Sequence, residues 1–138
     1  MKANDLVALV LRSPLHGLMG NVLLITVTGR KSGRSITTPV NYSRTGDILW
    51  ILTKRSRKWW RNISPGSRVM LHLGGRDLRG TAEAELDEPL VAAQLGEYVR
   101  QIPAAARALH LRIEDGRPDA RDAMRLASER LFVRICVE

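Results

Sequence analysis

Few side chains in this sequence could do chemistry unaided. His16, His72 and His110 lie far apart with no obvious carboxylate companion. Cys136, alone in an apolar run, reads as a small core residue, so neither an acid–base pair nor a nucleophile is legible and no catalytic residue is assigned. A single cysteine also excludes an internal disulfide and leaves no cluster with metal-ligand spacing, the pattern of a protein kept in the reducing cytoplasm. An enzyme built on such a chain needs a cofactor.

What the sequence does offer is ways to hold a ligand. Gly29, Arg30, Lys31, Ser32, Gly33 and Arg34 follow one another. Glycines at both ends let successive N–H groups line a concavity, and the cations and the Ser32 hydroxyl add charge and donors suited to an anion. The G-x-x-x-x-G-K-[ST] spacing is missing, so a nucleotide-hydrolysing loop is not supported. Next come Thr37, Thr38, Pro39, Val40, Asn41 and Tyr42, a strand with a proline in it. Proline removes a ladder donor, which either protects an edge strand or opens a break against which a flat ligand can lie. Finally, Trp59 and Trp60 stand among Lys54, Arg55, Arg57, Lys58 and Arg61. Neighbours on a helix diverge by about 100°, so one indole can enter the core while the other lines a groove, although both could pack the mouth of a barrel.

The elements that must carry these residues follow from periodicity. Residues 4–11 read as a short helix capped by Asn4 or Asp5 and ended by Pro14. Strands are expected at 22–28, 36–43, 48–53, 68–73, 78–86 and 131–137, with turns at Thr45-Gly46-Asp47 and Gly74-Gly75. One or two helical turns are expected at 57–63, stopped by Ser64-Pro65-Gly66. Asp87 caps a helix that Pro103 ends, 104–113 is helical by propensity, 115–118 is a loop, and 119–129 is a helix opened by Asp119 and Asp122. Six strands separated mostly by turns predict a small, mostly antiparallel barrel with helices outside.

The 138 residues, 44% apolar and 26% charged, fit one domain with an ordinary core, residues 1–138, and exclude a disordered or two-domain chain. The apolar N-terminal stretch is broken by Arg12, Pro14, His16 and Asn21 and is too polar for a spanning helix. The net charge is +8, and 18 of the 22 basic residues are arginine, the side chain best matched to phosphate and carboxylate. Between Arg30 and Arg79 twelve cations face only Asp47 and Asp77, so the whole surplus sits in the middle of the chain and implies an anionic partner.

Taken together, residues 23–34 (LLITVTGRKSGR), Thr37 to Val40, Thr53-Lys54, Trp59-Trp60-Arg61-Asn62 and the late Arg134-Ile135-Cys136-Val137-Glu138 resemble the deazaflavin-dependent nitroreductase family. The likeness runs well through about residues 22–87. It implies a six-stranded split β-barrel of the FMN-binding, flavin-reductase type, mostly β with flanking helices, and often dimeric. It also implies the 8-hydroxy-5-deazaflavin coenzyme, F-420, as cofactor, with Arg30, Lys31, Ser32, Gly33 and Arg34 at its phosphate and acidic tail. Thr37, Thr38, Pro39 and Val40 would lie beside the ring, and Thr53, Lys54, Trp60 and Asn62 match further contact positions. The reaction implied is hydride transfer to an electron-poor small-molecule acceptor: a quinone, enone or nitro compound. Tyr98 or solvent would deliver the accompanying proton. The chain departs from the family in having only Arg55-Ser56-Arg57-Lys58 where a longer glycine-containing loop is usual, and alanines after Pro103 where nitro-active members carry tyrosines.

Three other readings stay open. FMN could use the same phosphate loop. The barrel could carry a deazaflavin, fatty acid or other apolar ligand without turnover, a reading that the alanine run favours. Nucleic acid could bind the basic segment, although scattered rather than periodic arginines disfavour it. The residues 4–11 helix could serve a subunit contact in a homodimer or a peripheral membrane contact.

Overall fold

A computed structural model describes residues 21–138; the expected helix at 4–11, together with His16, lies outside the described residues. The strands are β1 (Val22–Thr28), β2 (Ser35–Thr45), β3 (Ile48–Lys54), β4 (Ser67–Leu73), β5 (Arg76–Glu85), β6 (Ile113–Glu114), β7 (Arg117–Pro118) and β8 (Arg130–Val137). The helices are α1 (Glu88–Gln101), α2 (Pro103–Ala108) and α3 (Ala120–Glu129), with one 3-10 turn at Trp59–Asn62. Six strands close into an antiparallel barrel in the order β1-β2-β3-β8-β5-β4. The β8 strand, remote in sequence, wedges between β3 and β5.

Alternation explains the two cores. Odd residues of β1, β3, β4 and β8 and even residues of β2 and β5 point inward, so Leu23, Ile25, Val40, Leu49, Ile51, Val69, Leu71, Ala82, Val133 and Ile135 fill the barrel. The opposite face of β3 and β8 is also apolar. Leu52 and Phe132 there are covered by Val91, Leu95, Tyr98 and Val99 of α1, by α2, and by Ala123, Leu126 and Ala127 of α3. Asp87 caps α1 by accepting from Leu90 N–H, and Asp119 caps α3 by accepting from Asp122 N–H.

Gly80 is fixed by packing. A Cβ there would stand 2.7 Å from Ile135 Cγ2 and 2.8 Å from Cys136 O, so only a missing side chain lets β5 approach β8.

Four expectations need correction. Only Pro103–Ala108 of the 104–113 stretch is helical. Residues 113–118 form a two-stranded hairpin rather than a loop, because Asp115 (φ 52°) and Gly116 (φ 76°) build the two-residue turn that hairpins favour. Cys136 is exposed, since its even position on β8 faces outward. His72 does have a carboxylate companion: β4 and β5 put it directly opposite Asp77, and its Nδ1 lies 2.9 Å from the Asp77 carboxylate.

The barrel is not laced along its whole height. Tyr42 N–H donates to Asn21 O, so even residues of β2 bond toward β1 and odd residues face β3. Pairing of β2 with β3 covers only Tyr42 to Thr45 against Ile48 to Ile51. Above it, the Thr37 and Asn41 N–H groups and the Leu52 and Lys54 backbones face a seam with no ladder. Pro39, paired with Leu24 of β1, has no N–H to offer there. Proline thus sits where β2, paired to β1 on one side, borders a split on the other, a place that suits both of the roles it could play in such a strand.

Candidate functional site

The loop joining β1 to β2 is closed by its own bonds. Gly29 N–H donates to Arg34 O (2.7 Å), Gly33 N–H to Gly29 O (2.8 Å) and Arg34 N–H to Ser32 Oγ (3.2 Å). These leave the Lys31 and Ser32 N–H groups without a partner among the described residues. Asn62 ties this loop to the 3-10 turn, its Oδ1 accepting from Arg30 N–H at 3.0 Å and its Nδ2 donating to Trp59 O at 3.0 Å.

Between loop and turn lies a cavity of about 530 Å³ lined by Gly29, Arg30, Lys31, Ser32, Ile36, Ser56, Lys58, Arg61 and Asn62. Four of these side chains are cations and none is acidic. A 3-10 turn has three residues per turn, so Lys58 and Arg61 fall on one face and reach the same space. Ile36, Ser56 and Lys58 also line a second cavity of about 460 Å³ with Thr37, Thr38, Arg57 and Trp59. That cavity lies at the Thr37 end of the unlaced seam, against the Ile36–Thr38 edge of β2. A cation-walled chamber and a slot along a strand edge therefore share a wall.

The tryptophans divide. Trp59 is buried in the barrel core, its Nε1 donating to Thr53 Oγ1 at 3.2 Å. Trp60 is half-buried, with the Arg61 guanidinium 5.2 Å from its ring centre and its Nε1 buried without a partner.

Of the residues expected at a ligand, Arg30, Lys31, Ser32 and Asn62 line the first cavity and Thr37 and Thr38 the second. Gly33, Arg34, Pro39, Val40, Thr53, Lys54 and Trp60 line neither: Val40 points into the core, Thr53 holds Trp59, and Lys54 is exposed. Sequence reasoning did not single out Ser56, Lys58 and Arg61 as a site. The three-residue spacing of Lys58 and Arg61 was the available signal, since i and i+3 share a face on either kind of helix; it goes unread when the two count only as part of the basic surround of Trp59 and Trp60. Tyr98 is far from this chemistry: it packs on Phe132 (ring centres 5.7 Å apart) behind the barrel wall, and burial pushes its hydroxyl up to about 12. The alanines after Pro103 belong to the same layer, where Ala105 and Ala106 are buried. Among the described residues no helix is long and apolar enough to cross a membrane, and no group of three or more His, Cys, Asp or Glu could hold a metal ion.

The donor set fits an anionic coenzyme carrying a flat ring: cations, hydroxyls and free N–H groups in one chamber, and an unpaired strand edge beside Trp59 in the next. The comparisons agree. The profile of the F420H(2)-dependent quinone reductase family matches residues 12–109. Among solved structures the chain is similar to an F420 reductase, at 14% identity and a TM-score of 0.51 over 89% of this chain and 92% of that one. It is also similar to an F420-H2 dependent reductase, FDR-A, at 18% identity and a TM-score of 0.50 over 86% and 94%. A third, a putative pyridoxamine 5'-phosphate oxidase from Listeria innocua, aligns at 12% identity and a TM-score of 0.56 over 98% and 92%. No curated protein matches the chain. The structural likenesses show the split-barrel fold, and the profile, which spans most of the length, shows the lineage: this chain belongs to the F420H(2)-dependent quinone reductase family, oxidoreductases whose cofactor is coenzyme F-420.

Proposed function

We propose that the chain binds reduced coenzyme F-420 in the two joined cavities and serves its oxidation by an electron-poor acceptor, a quinone first and, by the same electron demand, an enone or nitro compound. The observation that carries this reading is the shared wall of Ile36, Ser56 and Lys58 between a chamber of four cations and the unlaced seam. Reduced deazaflavin, when bound, supplies a hydride. The chain's own residues bind, orient and exclude water. Arg30, Lys31, Lys58 and Arg61, with the Lys31 and Ser32 N–H groups, would hold the phosphate and carboxylates. The Thr37 and Asn41 N–H groups would meet ring carbonyls along the seam. Ile36 and Trp59 give that slot an apolar flank against which a flat ring would lie. With Tyr98 behind the barrel wall, solvent is the source of the proton that completes reduction. The reading takes the chain as one split-barrel domain working in the cytoplasm, in keeping with a lone thiol.

A titration tests it. Oxidised and reduced F-420 should each bind, and menadione should be reduced at the expense of the reduced form. Replacing Arg30 or Lys31 by alanine should weaken binding about five- to thirtyfold each, the worth of about 1 to 2 kcal/mol for a charge-assisted contact open to solvent. Absent binding, or variants that bind like the wild type, would refute the proposal. Tighter binding of FMN would replace the coenzyme while keeping the site.

A further inference from the structure

Arg55 belongs to the basic cluster, yet its side chain turns away from the cavities. Its Nε donates to Ala127 O (3.1 Å) and Arg130 O (3.0 Å), and a terminal nitrogen donates to Leu86 O (2.8 Å) and Ala127 O (2.9 Å). Its own N–H donates to Glu129 O (2.9 Å). Ala127 and Glu129 stand in the last turn of α3, where carbonyls have no intrahelical donor and carry the negative end of the helix dipole. No basic residue of α3 itself answers them. One guanidinium from the barrel rim therefore ties together the end of α3, the start of β8 and the link from β5 to α1.

The residues that follow Arg55 form the wall shared by the two cavities. Ser56 and Lys58 line both, and Arg57 lines the seam. This stretch is pinned downstream by Trp59, whose indole bonds Thr53, and internally by Arg57 N–H donating to Lys54 O at 3.1 Å. Upstream, the backbone is held by the β3–β8 ladder to Lys54 and by Arg55 N–H on Glu129 O, and the Arg55 guanidinium adds the side-chain pin to α3 and β8. A wall of three residues, two of them long cations that would otherwise spread into water, keeps its shape only if both ends are fixed.

We propose that Arg55 is a positioning residue that holds Ser56, Arg57 and Lys58 as a preformed wall, so that Lys58 already stands at the junction of chamber and seam when the anionic ligand arrives. The ligand-binding part of this inference rests on the reading given under Proposed function. An unpinned wall must be ordered by the ligand itself, and that ordering costs affinity of about tenfold for two or three side chains while leaving the bound arrangement the same.

The experiment uses the full chain as wild type, Arg55→Ala, Arg55→Lys and Phe132→Leu. Phe132 is buried in the helix-side core, so its variant loses stability without touching the wall. Three quantities are measured: affinity for oxidised F-420, the split of menadione reduction into kcat and KM, and the rate of trypsin cleavage after Arg57 and Lys58 in ligand-free protein. For Arg55→Ala the expectation is affinity down about tenfold, KM raised, kcat within twofold, and cleavage at least tenfold faster. Arg55→Lys, which keeps the charge without the fork, should recover part of the affinity. Phe132→Leu should leave affinity and cleavage unchanged at an equal or larger loss of Tm. If Arg55→Ala matches the wild type, or Phe132→Leu loses as much affinity as Arg55→Ala, the inference is overturned. If wild type binds no coenzyme, the functional reading falls, and the ligand-free trypsin rates still judge Arg55 by themselves.

Discussion

Asn62 joins the two halves of the basic chamber, and two replacements separate its structural work from its electrostatic setting. In Asn62→Leu, both bonds vanish, the one from Arg30 N–H and the one to Trp59 O. Each is near water and worth about 0.5 to 1.5 kcal/mol net, so stability should fall by about 1 to 3 kcal/mol. For a chain of this length that lowers Tm by about 3 to 9 °C. Asn62→Asp behaves differently. Its carboxylate still accepts from Arg30 N–H and loses only the bond to Trp59 O, and its charge is welcomed by four cations, so Tm should fall by less than for Asn62→Leu. Against an anionic ligand the same charge is repulsive. At a separation of roughly 7 Å and an effective dielectric constant of about 20 to 40 the penalty is about 1 to 2 kcal/mol, or about five- to thirtyfold in affinity. The assay is calorimetric unfolding beside titration with oxidised F-420, both at low salt. Should Asn62→Asp bind the coenzyme as tightly as Asn62→Leu, or tighter, the ligand's charge does not lie in this chamber and the argument fails.

Further outcomes follow from other parts of the molecule. Gly80→Ala forces a Cβ to 2.7 Å from Ile135 Cγ2 and 2.8 Å from Cys136 O, and the resulting shift of β5 from β8 should cost about 1 to 3 kcal/mol, read as a lower denaturation midpoint in urea. Phe132→Ala empties a site with no exposure and should cost about 3 to 5 kcal/mol in the same measurement. Tyr98, neutral when protonated, has its folded value raised from 10 to about 12 by burial, so the stability it lends is fully present below pH 10 and is lost as pH rises toward 12; ultraviolet phenolate absorbance should then rise together with unfolding, and Tyr98→Phe should leave menadione reduction unchanged. Binding of the coenzyme should weaken steadily as salt rises from 50 to 500 mM, and Lys58→Ala combined with Arg61→Ala should flatten that dependence.

How much could be read beforehand varies with the range of the interactions. The β1 strand was plain, because VLLITVT is β-branched and closed by glycine, and the caps Asp87 and Asp119 announced α1 and α3. Strand order was not legible. Nothing local to Val133 says that it will pair with Ile51 on one side and Ala84 on the other. The two-residue strands of 113–118 carry too few side chains to show alternation, and only the Asp-Gly pair hinted at them. In the site, the charged loop at 29–34 was visible because its residues are consecutive, whereas Lys58 and Arg61 join it only once the 3-10 turn folds over the mouth and Asn62 reaches back to Arg30. Arg55 looked like one more surface cation, because its acceptors Leu86, Ala127 and Arg130 lie 31, 72 and 75 positions further along the chain.

The place of β8 between β3 and β5 also bears on synthesis. Two of the six ladders of the barrel involve this strand, so a nascent chain that has emitted everything through α3 still has β3 and β5 with exposed edges. Closure waits until residue 137 has cleared the ribosome, and contacts this distant in sequence form slowly. During that interval the apolar inner faces and free edges of β3 and β5 are open to the wrong partners, so the growing polypeptide passes through an aggregation-prone stage before the barrel closes.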